Sequence, residues 1–246
     1  MNNHFYIQAR MGSSRLPGKI MKKILDKTII EIIVERLSFV KNKNEIFLIT
    51  GAKEKNFELI EEAKRLGIEV FSGSENNILD RFYHASNQFQ SESITRITGD
   101  CPLIDFQLIK YALEIFDCGR YDILSNNKNK TFPHGLDFEI FKKSSMDQIW
   151  RLEMKKNSDK NIFDQTFIPP TKLLLEDQKL SYYDLQNSED NSKIRITLDY
   201  AEDFFVISKI FNHLYPKNPK FILKDILKFL SKNPEMLKVN NKFSHI

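Results

Sequence analysis

Through the first half of the chain, short apolar runs alternate with stretches of helical period. His4 to Ala9, Glu45 to Thr50, Ile68 to Phe71, Ser93 to Thr98 and Tyr121 to Leu124 read as strands. Between them, Ile29, Ile30, Ile32, Ile33, Leu37 and Val40 recur close to helical spacing, and Asn56 to Leu66 forms a helix stopped by Gly67. Asn77 to Phe89 is a further helix, and Asp105 caps one that runs to about Phe116. This order predicts βαβ units: an α/β, Rossmann-like fold with a mostly parallel sheet and helices on both faces. A chain of 246 residues, 41% of them hydrophobic, suffices for one such domain with a large core.

The period changes after residue 125. Residues 126–190 carry the string Asn126-Asn127-Lys128-Asn129-Lys130, a Pro169-Pro170 break and a polar stretch from Ser188 to Ser192, and predict a less regular excursion over a site or a dimer arm. Lys193 to Leu198 (KIRITL) alternates strictly and predicts another strand. Phe221 to Leu230 is an amphipathic helix whose Lys220, Lys224, Lys228 and Lys232 fall on the side opposite its apolar residues, as on a solvated face.

Charge and cysteine usage exclude several classes. The net charge of +4 is dispersed, whereas a nucleic-acid binder concentrates it in one stripe. Two cysteines without paired spacing, Cys101 and Cys118, fit neither a structural zinc nor a secreted disulfide scaffold. No apolar run approaches a membrane span, and the first residues lack the blocks of a signal peptide. A cytoplasmic protein without nucleic-acid or membrane partners is expected.

The richest stretch follows the first strand: Gln8-Ala9-Arg10-Met11-Gly12-Ser13-Ser14-Arg15-Leu16-Pro17-Gly18-Lys19. Loops at the carboxyl ends of parallel strands line the ligand crevice of an open sheet. Gly12, Ser13 and Ser14 let backbone amides approach an anion, Arg10 and Arg15 can fork onto phosphate oxygens, and Lys19 adds a mobile point charge. A triphosphate is the expected ligand. The stretch is not a P-loop, because five residues separate Gly12 from Gly18 and Ile20 stands where a magnesium-binding hydroxyl belongs; GxGxxG is absent too.

IQARMGSSRLPGK resembles the N-terminal signature of the sugar-activating cytidylyltransferases, which include the CMP-Kdo and CMP-sialic acid synthetases, and above all their SpsF-like branch from spore-coat polysaccharide biosynthesis. Further blocks agree, in order along the chain: Gly73-Ser74-Glu75 with Leu79-Asp80-Arg81-Phe82, Arg96-Ile97-Thr98-Gly99-Asp100-Cys101-Pro102, Gly135-Leu136-Asp137-Phe138-Glu139, Thr197-Leu198-Asp199-Tyr200 with Glu202-Asp203, and Asn233-Pro234-Glu235. The resemblance implies a nucleotide-diphospho-sugar transferase-like fold over residues 1–246. Its nucleotide-binding half would be residues 1–125, its sugar-binding and dimerisation half 126–205, and its helical end 206–246. It also implies CTP and a sugar as substrates, transfer of CMP with release of pyrophosphate, a keto-acid surface sugar as acceptor, and a homodimer.

Asp100 lies just past a strand and Asp199 stands in the same relation to KIRITL, so both would reach one rim of the sheet. The resemblance implies that these two hold Mg²⁺, which takes one or two protein oxygens with phosphates and waters. Arg10, Arg15 and Lys19 would then hold the β- and γ-phosphates. Arg96 and Thr98 share a strand face with Asp100 and are expected to face the site. Gly73, Ser74, Asp80 and Arg81 match a block on the nucleotide side of the family's pocket. Asp137 and Glu139 project to one face of a strand and, with His134, could hydrogen-bond a sugar; the family pattern more often has an acid where His134 stands. Cys101 reads as a small buried packing residue. A glycosyltransferase consuming a nucleotide sugar is the competing enzyme class, but no Asp-x-Asp occurs in the chain. Another nucleoside triphosphate or a sugar 1-phosphate is the alternative within the transferases, and a non-catalytic nucleotide-binding regulator is a third class.

Overall fold

A computed structural model of the chain describes residues 2–157 and 168–243. Its main sheet contains β1 (Asn3–Gln8), β4 (Ile46–Thr50), β5 (Glu69–Ser72), β6 (Ser93–Thr98), β7 (Ile123–Ser125), β8 (Phe138–Lys142) and β9 (Tyr182–Asp184), in the spatial order β5-β4-β1-β6-β8-β7-β9. A small hairpin of β2 (Lys23–Ile24) and β3 (Lys27–Thr28) stands apart. β5, β4, β1 and β6 run parallel, β8 is antiparallel to both β6 and β7, and β9 is parallel to β7. The sheet is therefore mostly parallel. The chain leaves β1 toward β4 on one side and later returns to β6 on the other, which opens a crevice beyond the carboxyl ends of β1 and β6.

Strands buried on both faces explain the continuous apolar runs. Phe5 and Ile7 of β1 join one core layer with Ile30 and Ile33 of α1 (Ile29–Leu37), Ile109 of α4 (Phe106–Phe116) and Ile210 of the helix Ala201–Leu214. Tyr6 turns the other way, to Phe82 of α3 (Ile78–Gln88) and Met146 of α5 (Lys143–Lys156). Each such side chain contributes about 1.5–3 kcal/mol by leaving water. The helix starts are capped as the sequence suggests: Asn77 accepts the Asp80 amide at 2.9 Å, and Asp105 accepts those of Gln107 and Leu108 at 2.8 and 3.2 Å. The second Asp105 oxygen accepts the Leu223 amide at 2.7 Å and so ties the C-terminal helix to α4. Gly67, at φ 79°, ends α2 (Phe57–Leu66).

Three expectations are corrected. KIRITL is extended but belongs to no ladder; it makes one isolated bridge, Arg195 to His134, and otherwise bonds to loop atoms. Pro170 opens a helix (Pro170–Glu176) instead of breaking structure, because its fixed φ suits a first helical turn. The C-terminal helix spans Leu223–Lys232, with Phe221 already buried before it; Lys220, Lys224, Lys228 and Lys232 are exposed. Part of the irregular segment 126–190 lies outside the described residues.

Candidate active site

The loop after β1 turns over the crevice and is pinned at Met11. Its amide donates to Asn56 Oδ1 at 2.8 Å, and its carbonyl accepts the amides of Ser13 and Gly18 at 3.0 and 3.3 Å. Gly18, at φ 64°, bends the chain into a short 3-10 turn that buries Ile20. The amides of Gly12, Ser14 and Arg15 donate to nothing among the described residues. A Cβ on Gly12 would meet nothing within 4 Å, so that glycine leaves room for a ligand rather than for the protein. Unpaired amides in a loop that lines an open cleft can cradle an anion.

The cleft below has a volume of about 330 Å³. Gln8, Ala9, Arg10, Gly12, Ser13, Ser14, Arg15 and Lys19 line it from the loop, Arg81 from α3, and Arg96, Thr98 and Asp100 from the end of β6. From the lining, Lys19 Nζ donates to Asp100 Oδ2 (3.4 Å) and, behind it, to Asp199 Oδ1 (3.0 Å) and the Leu198 carbonyl (2.7 Å); Asp199 is buried and is not itself a lining residue. Arg15 Nη2 reaches the same Asp199 oxygen at 2.8 Å. The two acids meet because their segments are stitched side by side: the Asp100 carbonyl accepts the Leu198 amide at 2.8 Å and the Thr197 hydroxyl at 3.1 Å. Burial pushes the Asp100 carboxyl up, but Lys19 and the Thr98 hydroxyl outweigh it and hold it below the usual carboxylate value.

On the wall, Arg10 Nη1 lies 3.3 Å from Glu75 Oε1, while Glu75 Oε2 accepts the Ala52 amide at 3.0 Å. Arg81 is 2% exposed and its Nε has no hydrogen-bond partner. Burial pushes its guanidinium down to about 10; Glu75 opposes this and Arg10 adds to it. Arg96 lines the cleft and is also held structurally, by Gln8 Oε1 and by Glu139 Oε2, each at 2.7 Å.

Other expected residues lie elsewhere. Gly73 and Ser74 are not in the cleft wall. A Cβ on Gly73 would lie 2.8 Å from the Phe71 ring and 3.0 Å from Arg81 Cγ, so the glycine makes room for both side chains, and Ser74 Oγ accepts the Asn77 amide. Asp80 faces away, accepting from Trp150 Nε1 at 2.9 Å. His134 and Asp137 stay together, with His134 Nε2 3.8 Å from Asp137 Oδ2, while Glu139 lies apart from them. Glu139 is buried against Arg96 and Asn127, Asp137 accepts the Gly135 amide, and His134 Nδ1 lies 3.2 Å from Arg195 Nη1. Cys101 is buried at 1% exposure.

Sequence reasoning missed Glu75 and Ile78 as lining residues, and Arg195 and Asp203 behind Asp199. One signal was available. Arg-Ile-Thr-x-Asp occurs twice, at 96–100 and 195–199, and each copy delivers its aspartate to Lys19.

Two hard carboxylate oxygens converging on one cation beside an anion loop fit Mg²⁺. That ion uses one or two carboxylates together with substrate phosphates. Among the described residues no group of three or more His, Cys, Asp or Glu forms a complete protein cage.

Residues 5–213, which span the whole cleft, match the sequence profile of a family described as cytidylyltransferase. An uncharacterized protein of Methanocaldococcus jannaschii is 32% identical, over 96% of this chain and 93% of its own. The spore coat polysaccharide biosynthesis protein SpsF of Bacillus subtilis is 25% identical, over 94% of this chain and 95% of its own. An 8-amino-3,8-dideoxy-manno-octulosonate cytidylyltransferase of Shewanella sp. (strain ANA-3) is 27% identical, over 65% of this chain and 62% of its own. Among solved structures, a cytidylyltransferase from Leptospira borgpetersenii superposes with a TM-score of 0.84 at 30% identity, covering 96% of this chain and 97% of that one. With this cleft and these relatives, the chain belongs to the cytidylyltransferase family.

Proposed function

We propose that the protein transfers CMP from CTP to a keto-acid sugar destined for a surface polysaccharide, in the cytoplasm, with Mg²⁺ held by Asp100 and Asp199. The observation that carries this reading is that Lys19 and Arg15, which line the cleft, meet two carboxylates, Asp100 and Asp199, within 3.4 Å. The sugar hydroxyl oxygen forms its bond to the α-phosphorus as the bond from that phosphorus to the bridging oxygen breaks; pyrophosphate leaves with the electron pair, and the hydroxyl proton is released to solvent. Such a reaction needs positioning and charge neutralisation more than covalent help from the protein. Mg²⁺, when bound, neutralises charge developing on the phosphate oxygens. Arg10, Arg15 and Lys19 hold the β- and γ-phosphates, and the unpaired amides of Gly12, Ser14 and Arg15 add donors without a further charge. Lys19, which bridges the acids in the free protein, exchanges them for phosphate oxygens when nucleotide enters.

The sugar class is supported by two relatives, one named for spore coat polysaccharide biosynthesis and one for an octulosonate. Residues 126–205 would contribute the sugar side and a homodimer contact, a pairing that light scattering at twice 29.0 kDa would support. Among the described residues no helix is long and apolar enough to cross a membrane. The test is pyrophosphate release from CTP, UTP, GTP and ATP against a panel of sugar acids and sugar 1-phosphates. Release with CTP and a sugar acid alone supports the reading. Release with another nucleotide or a sugar phosphate keeps the transferase and changes its product, and no release from any pair sinks it.

A further inference from the structure

Asp199 is held from behind by a buried pair that touches no cleft surface. Arg195 is 5% exposed and Asp203 0%. Arg195 Nε and Nη2 fork onto the two Asp203 oxygens at 2.9 and 2.8 Å, and Nη2 also donates to Asp199 Oδ2 at 3.3 Å. Asp203 Oδ2 in turn accepts the main-chain amides of Asp199 and Tyr200 at 3.0 and 2.9 Å. Both the backbone and one carboxylate oxygen of Asp199 are thus fixed on the core side. Only Oδ1 is left to Lys19 and Arg15. The first Arg-Ile-Thr-x-Asp copy is wired differently: Arg96 goes to Gln8 and Glu139 and makes no bond to Asp100.

We propose that Arg195 is a positioning residue for the reaction, acting through Asp199, with Asp203 as its buried counter-ion. By occupying Oδ2 it turns a carboxylate that could present two oxygens into one that presents a single oxygen, in one orientation, to whatever cation sits in the cleft. The inference rests on the proposed reaction for its kinetic consequence, but the placement of Asp199 is independent of it. A guanidinium fork can hold two carboxylates at once, whereas a lysine ammonium on a shorter reach keeps the charge and loses the geometry.

The test is a double-mutant cycle with R195K and D199N, read by pyrophosphate release, together with a crystal structure of R195K. If Arg195 acts through Asp199, R195K lowers kcat about 10- to 100-fold with KM for CTP changed less than threefold, and adds little to the loss already caused by D199N. The crystal structure then shows the Asp199 carboxylate turned away from its native orientation. Losses that multiply in the double variant, or an Asp199 that stays in place in R195K, overturn the inference. Should R195K fail to fold, D203N releases the same fork by removing its counter-charge, and the same two readouts apply. A wild-type protein that releases no pyrophosphate refutes the proposed reaction, while the crystal structure still decides whether Arg195 places Asp199.

Discussion

Lys19 bridges two carboxylates, Asp100 in the cleft lining and Asp199 behind it. Replacing it with methionine keeps much of the volume but removes the cation from Asp100, while Asp199 keeps Arg15 and Arg195. The Lys19→Met protein should release pyrophosphate about 10²–10³ times more slowly than wild type, the size of effect seen when one preorganised charge donor is lost. A rate within threefold of wild type would mean that Lys19 serves only the fold. Asp203 makes a second prediction, on stability. Burial pushes its carboxyl up, but Arg195, Asn240 and the Asp199 and Tyr200 amides outweigh it, so its folded value lies below the usual one. A depressed carboxyl stabilises the fold fully above its unfolded value of about 3.9, and the contribution disappears as pH falls through the folded value. Thermal midpoints of wild type should therefore drop steeply below about pH 4, and those of Asp203→Asn should start lower and drop less. Parallel curves for the two proteins would remove Asp203 from the acid response.

Gly99 joins β6 to the cleft floor at the scale of the element. A Cβ there would lie 2.8 Å from Ala9 Cβ and 3.0 Å from Ile20 Cδ1, so the end of β6 and the anion loop approach as closely as they do only because the side chain is missing. Gly99→Ala should push the two apart, costing about 1–3 kcal/mol of stability by overpacking and lowering kcat/KM at least tenfold. Urea unfolding and steady-state rates check both, and a stable variant of full activity would show that the approach is slack. The same elements show how far the sequence could be read. β1 and β4 were legible as apolar runs covered on both faces and β6 as an alternating β-branched run, and the helices because Asn77, Asp105 and Gly67 mark their ends. KIRITL misled because alternation reports an extended backbone, not a partner: Ile196 and Leu198 enter the core, while Arg195 turns to Asp203 and Asp199 to Lys19, with no neighbouring strand. The anion loop stood out because its cations and glycines are contiguous. The support behind Asp199 did not, because its contacts join residues 100, 195, 203 and 240, which only the fold brings together.

For the whole molecule, the crevice is lined by residues between Gln8 and Asp100, and its Lys19 and Arg15 bond to Leu198 and Asp199 from the second half, so occupying it should stabilise the protein globally. A ligand at a hundredfold excess over its Kd adds about 2.7 kcal/mol, which for a domain of this size is roughly 5–10 °C in Tm. CTP with Mg²⁺ should give a shift of that order, CTP alone a smaller one, and Mg²⁺ alone almost none, because Lys19, with Arg15 and Arg195 on Asp199, already offsets the charge of the two carboxylates in the free protein. Asp100→Asn should keep the shift with CTP alone and lose the increment that Mg²⁺ brings, since it removes an ionised oxygen donor but leaves the loop amides intact. Arg15→Ala should weaken both. Equal shifts with CTP, UTP, GTP and ATP would mean that the cleft binds triphosphate without reading the base. A large shift with Mg²⁺ alone would mean that the carboxylates bind metal before nucleotide, and that Lys19 does not compete for them as its three contacts require.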